Sequence, residues 1–185
     1  MTQTTIVVIV IALIVVIAAA IFFVQRERTN RLKAKFGPEY ERLAREGNAR
    51  KAEAELAHRQ KRVEKLHIRD LSTADVDRFS NSWRSVQAQF VDTPREAVVE
   101  ADRLVREVMT ARGYPMGDFE QRAADISVDH PSVVENYRQA HMIAVKDAAG
   151  QATTEDLRQA MVHYRSLLED ILSSNVAHRI EEVKR

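Results

Sequence analysis

IVVIVIALIVVIAAAIFFV, residues Ile6 to Val24, is a run of 19 apolar residues without a charge, and Arg26, Arg28, Arg31, Lys33 and Lys35 follow it at once. At 1.5 Å of rise per residue, a helix of this length covers about 28 Å, close to the hydrocarbon thickness of a bilayer. Fifteen of the residues are Ile, Val, Leu or Phe and four are Ala, so insertion is worth roughly −5 to −9 kcal/mol at about −0.3 to −0.6 per residue. A soluble helix is seldom apolar on every face. The β-branched residues are no obstacle, because in lipid the backbone must satisfy its own hydrogen bonds and a helix does so locally. Residues 1–24 therefore read as a single transmembrane anchor.

A cleaved signal peptide fits less well. It needs a cationic start, a short apolar core and small residues before the cut. Met1 to Thr5 carry no Lys or Arg, and apolar sequence continues beyond Ala18 to Ala20 through Ile21, Phe22, Phe23 and Val24. The cations all lie on the C-terminal side, which places the N-terminus outside and the rest of the chain in the cytoplasm. With no cysteine in the chain, a disulfide framework, a thiol nucleophile and a Cys-based zinc site are excluded.

The net charge of +1 combines two opposed regions. Residues 25–70 hold 14 Lys or Arg against 8 Asp or Glu, while residues 71–185 hold 14 against 19. The first is a basic juxtamembrane linker and charged stalk helix, the second an acidic helical bundle. Cations beside an anionic membrane face are attracted by roughly 1 kcal/mol each, and Arg26, Arg28, Arg31, Lys33 and Lys35 are the residues near enough to benefit. A solvated positive-inside flank requires no specific lipid partner. Nucleic acid is disfavoured, since the basic part has few aromatic residues and the remainder is acidic.

Helix punctuation then orders the chain. Phe36-Gly37-Pro38 breaks the run from the membrane, and Pro38 suits the first turn of a short helix over Glu39 to Glu46. Gly47 and Asn48 read as a stop and an N-cap. In the stalk, to about Leu66, the apolar residues Ala49, Ala52, Leu56, Val63 and Leu66 keep a coiled-coil-like spacing, with Arg59 in the slot between Leu56 and Val63. Ser72 with Asp75 resembles a capping box before Val76, Phe79, Trp83, Val86 and Phe90. Thr93-Pro94 opens a helix that carries Ala97, Val98, Ala101, Leu104, Val105, Val108 and Met109 and stops at Gly113. A short helix over Asp118 to Ile126 follows. The next opens at Pro131 with Val133, Val134, Tyr137, His141, Ala144 and Val145. Thr153 with Asp156 caps the last, striped by Leu157, Ala160, Met161, Tyr164, Leu168, Ile171 and Leu172, with the tail beyond Ser173 prolonging it or fraying. Four such amphipathic helices joined by short loops predict an all-α domain, an antiparallel four-helix bundle.

Asp125-Ile126-Ser127-Val128-Asp129-His130-Pro131 is the densest polar stretch. Asp125, Asp129 and His130, with His141 on the following stripe, could bind a divalent ion or do acid/base work. They also suit a helix connector, where Asp and Ser cap ends and Pro131 fills a first-turn position. No spacing matches a metal motif, and the chain has neither a phosphate-cradling Gly-rich loop nor a Gly-x-Ser-x-Gly elbow.

Several segments, Arg50-Lys51-Ala52-Glu53-Ala54-Glu55-Leu56, Gly113-Tyr114-Pro115, Asp118-Phe119-Glu120-Gln121-Arg122-Ala123-Ala124-Asp125, Asp129-His130-Pro131, Tyr137-Arg138 through His141 and Thr154-Glu155-Asp156-Leu157-Arg158, resemble a bacterial family of single-span, membrane-anchored helical proteins. The resemblance covers nearly the whole chain and implies one architecture throughout. It implies no catalytic residue, because the family has no established activity. The sequence thus predicts a non-enzymatic scaffold or adaptor without a cofactor at the bacterial inner membrane, touching lipid through its anchor and basic flank and binding a protein partner, with homo-oligomerisation left open. Two rivals remain: an extracytoplasmic sensor bundle of opposite topology, and a metal-binding or enzymatic domain built on Asp125, Asp129, His130 and His141.

Overall fold

The computed structural model describes residues 3–183, with side chains described at position 8 and at 11–173. Those residues are all-helical and contain no strand. The helices are α1 (Gln3–Phe36), α2 (Pro38–Glu46), α3 (Ala49–Val63), α4 (Thr73–Asp92), α5 (Pro94–Arg112), α6 (Phe119–Asp129), α7 (Val134–Ala148) and α8 (Thr154–Val183).

α1 does not stop where the apolar run stops. Arg, Lys, Ala and Leu in the basic flank are good helix formers, and no Gly or Pro intervenes before Gly37, so the helix continues to Phe36. There the Gly37 N–H donates to the Lys33 carbonyl at 2.9 Å, its φ of +44° turns the chain, and Pro38 starts α2. Within the apolar run, Val8 and residues 11–24 are all exposed. Among the described residues no helix is long and apolar enough to cross a membrane. The side chains of Ile6, Val7, Ile9 and Val10, which belong to the expected anchor, lie outside the described ones.

Two N-caps read from the sequence form, Asn48 accepting the Lys51 N–H and Ser72 that of Asp75, each at 3.0 Å. Asp118, expected as the first residue of its helix, caps it instead and accepts the Gln121 N–H at 2.8 Å, and Thr93 makes no side-chain cap bond, so Pro94 alone marks that start. Thr153 and Asp156 close a reciprocal box, the Asp156 N–H donating to Thr153 Oγ1 at 3.1 Å and the Thr153 N–H to Asp156 Oδ2 at 2.7 Å.

Two hydrophobic cores result. The larger joins α4, α5, α7 and α8 around Phe79, Trp83, Leu104, Met109, Tyr137, Tyr164 and Leu168. α4 packs on α5 and α7 on α8 as hairpins, and the hairpins meet chiefly through α5 and α8. Arg95 at the start of α5 pairs with Asp147 at the end of α7 at 3.5 Å, and Tyr164 donates to Asp102 at 3.1 Å, so α5 and α8 run the same way. The expected antiparallel order holds within each hairpin and not at the seam between them.

The smaller core holds Leu32, Phe36, Tyr40, Leu56, Val63 and Val128. It wraps α2 and α3 around the end of α1 and docks them on α6, so the stalk helix lies on the domain. Leu66 and Ile68 pack against both cores.

Gly113 closes α5. Its N–H donates to the Thr110 carbonyl at 2.9 Å and the Tyr114 N–H to the Met109 carbonyl at 3.0 Å, a Schellman ending with Tyr114 and Met109 both buried. Gly113 has φ +97° and a Cβ there would stand 2.5 Å from the His67 carbonyl oxygen. Gly150 has φ +71° with nothing within 4 Å of such a Cβ. Gly150→Ala should cost only the left-handed backbone penalty, about 1–2 kcal/mol. Gly113→Ala should cost clearly more, because the strap over residues 64–72 must also move, and denaturant unfolding of the two variants side by side measures the difference.

Candidate functional site

The polar chemistry gathers where the smaller core meets the bundle. At its centre is Glu39 on α2, with its side chain 1% exposed. It accepts from Arg42 at 2.9 and 3.1 Å, from Arg59 of α3 at 2.7 Å, and from both Nη atoms of Arg138 of α7 at 3.1 and 3.2 Å. Arg59 also donates to Glu55 at 2.7 Å, with Ser127 of α6 at 3.4 Å. Burial alone would raise the Glu39 carboxyl, but Arg42, Arg138 and Arg59 outweigh it and hold the group below its ordinary 4.5. Burial pulls Arg138 down, and the Glu39 charge offsets part of that.

Asp125, Asp129, His130 and His141 take separate partners. Asp125 is fully buried and pairs with Arg62 of α3 at 2.6 Å, with Gln121 at 3.0 Å. Asp129 accepts from the Tyr114 hydroxyl at 2.5 Å, and burial followed by the Asp129 charge pushes that phenol up. His130 is buried with Nδ1 2.6 Å from Asp170 of α8. His141 stacks on Phe119, ring centroids 3.6 Å apart, and burial lowers its pKa. His163 Nδ1 lies 3.1 Å from Asn136 Oδ1. Only Asp129 and His130 share a cleft, of about 590 Å³, which Lys35, Asp70 and Arg112 also line. Among the described residues no group of three or more His, Asp or Glu side chains could hold a metal ion.

Arg26, Arg28, Arg31, Lys33 and Lys35 are all exposed, forming a cationic collar around α1. Arg31 pairs with Glu27 at 2.5 Å in open solvent, which contributes little. Arg28, Arg31 and Lys61 line a groove between α1 and α3 that runs from Val24 past Leu32. That groove and the Glu39 cluster escape a reading of sequence alone. Arg59 on the apolar seam of α3 is the visible signal for the cluster, since a cation there requires a buried counter-charge.

Comparison with protein-family models, curated protein sequences and solved structures returns no match for the chain.

Removing the carboxylate would leave Arg59 and Arg138 buried without their shared counter-ion. Glu39→Ala should therefore destabilise the domain by about 3–5 kcal/mol in denaturant unfolding. Because the folded-state pKa lies below 4.5, the pairing contributes in full above about pH 4.5 and is lost as the pH falls through the folded value. Thermal unfolding as a function of pH should show this acid-side loss in the natural chain and lack that component in Glu39→Gln.

Proposed function

We propose that the chain is a single-pass protein of the bacterial inner membrane, with its N-terminus outside and its helical domain held at the cytoplasmic face as a scaffold or adaptor for a protein partner. The state of α1 carries this reading. Val8 and residues 11–24 are apolar and exposed, and a helix apolar on all faces with none of its own chain upon it calls for an apolar solvent. With Ile6, Val7, Ile9 and Val10 the run reaches spanning length.

The same helix then enters the domain. From Val24 to Leu32, the first residue of α1 buried beyond the run, is about 12 Å of helix, roughly twice one headgroup layer of about 5–7 Å. Arg26, Arg28 and Arg31 of the collar fall in that interval and Lys33 and Lys35 follow it at once, where anionic headgroups would meet them. A domain held so close to the bilayer raises the effective concentration of whatever it binds there. A binding role is supported by the use of Glu39 and Asp125 in buried ion pairs that join α2 to α3 and α7, and α6 to α3.

The full chain should stay with membranes after alkaline carbonate washing, and a chain lacking residues 1–24 should be released. In sealed right-side-out vesicles, protease should spare the domain until the membrane is permeabilised. Release of the full chain would overturn the anchor; digestion before permeabilisation would reverse the topology and favour the sensor reading.

A further inference from the structure

The bundle carries a cationic cleft that its overall charge conceals. Beside a region, residues 71–185, with five more Asp and Glu than Lys and Arg, Arg69 joins that region's own Arg78, Arg103, Arg106 and Arg122 in lining one opening of about 720 Å³, and Glu107 is the sole acidic residue among the lining residues. Arg69 comes from the strap before α4, Arg78 from α4, Arg103 and Arg106 from α5 and Arg122 from α6. Four separate parts of the chain thus direct the same charge to one place.

Three of these arginines are matched. Arg78 pairs with Asp75 at 3.0 Å, Arg106 with Asp102 at 2.9 Å, and Arg103 with Glu100 and Glu107. Arg69 and Arg122 are not: among the described residues neither has a carboxylate within ion-pair distance. They are nevertheless held in place. Arg69 Nε donates to the Ala111 carbonyl at 2.8 Å. Arg122 donates from Nη1 to the Gly117 carbonyl at 2.6 Å and from Nε to the Tyr137 hydroxyl at 3.2 Å. Two guanidinium groups fixed by neutral acceptors keep their full charge and give up little side-chain entropy when an anion arrives.

We propose that this cleft binds a small phosphate-bearing ligand, with Arg69 and Arg122 as its principal cations. Guanidinium forks match phosphate oxygens, and a doubly charged tetrahedral group engages several arginines at once where a carboxylate engages one fork. Phe79, Ala111 and Met116 supply an apolar wall for the remainder of the ligand, and the volume lies within the usual small-molecule range of about 300–1,000 Å³. A free phosphate compound and a phosphorylated lipid headgroup present the same chemistry. The site stands apart from the membrane reading and does not depend on it.

Calorimetric titration of the full chain in detergent with inorganic pyrophosphate, at physiological salt, should show saturable binding. Arg69→Gln with Arg122→Gln should weaken it roughly tenfold or more, about 1.4 kcal/mol, whereas Arg165→Gln, on the exposed face of α8 outside the cleft, should leave it unchanged. Since Arg122 also holds Tyr137, Arg69→Gln alone and the thermal unfolding of each variant separate lost binding from lost fold. Pyrophosphate displaced when the chain is placed in nanodiscs containing phosphatidylinositol phosphate, but not phosphatidylcholine alone, identifies a headgroup; no displacement identifies a free ligand. Absence of saturable binding, equal binding by both arginine variants and the natural chain, or equal competition by chloride at matched ionic strength overturns the proposal.

Discussion

A carboxylate out of water costs several kcal/mol unless its partners are close and well aimed, and Glu39 meets that demand with three guanidinium groups from α2, α3 and α7. The value of such a cluster lies in direction more than in net energy. Leu66, Ile68 and Val128 join the smaller core to the bundle, but apolar contact is non-directional and tolerates sliding. Charge pairs at 2.7 to 3.2 Å do not. With Asp125 and Arg62 as a second pin at 2.6 Å, the α1–α3 unit is fixed in register on α6 and α7.

That register reaches outward along α1. No Gly or Pro stands between Val24 and Leu32, and the one break, Gly37, lies beyond the point where Leu32 has already entered the smaller core. Residues 25–36, basic enough to suggest a solvated tether, are instead helical and continuous with the apolar run.

The parts of this fold legible in the sequence are those set by local physics. Asn48, Ser72 and Thr153 cap helices because side-chain oxygens satisfy orphan N–H groups within one turn. The stripe from Ala97 to Met109 is buried throughout, as 3.6-residue periodicity requires. The smaller core was less visible, since Leu32, Phe36 and Tyr40 are single apolar residues at i, i+4 spacing amid Arg and Lys, and the cations dominate the local composition. Val145, on the expected stripe of α7, is exposed because the stripe drifts out of contact near the end of that helix. The order of packing, with α5 against α8, is a tertiary choice that helical periodicity does not encode, and the Glu39 cluster spans 99 residues between Glu39 and Arg138.

Residues Asp125 to Pro131 show that density of polar groups in a sequence need not mean convergence in space. Each takes a partner from a different direction: Asp125 from α3, Asp129 from the turn after α5, His130 from α8. Asp129 and His130 share one cleft, while Asp125 turns to α3, because α6 is the short helix on which the two cores dock; among the described residues no three such groups could hold a metal ion. The five arginines of the bundle cleft have the opposite distribution. They are scattered from residue 69 to residue 122 with nothing in their spacing to connect them, yet the fold brings them to one opening. Local density in this chain marks a joint between units, and convergence across distant elements marks the place where an outside ion has something to meet.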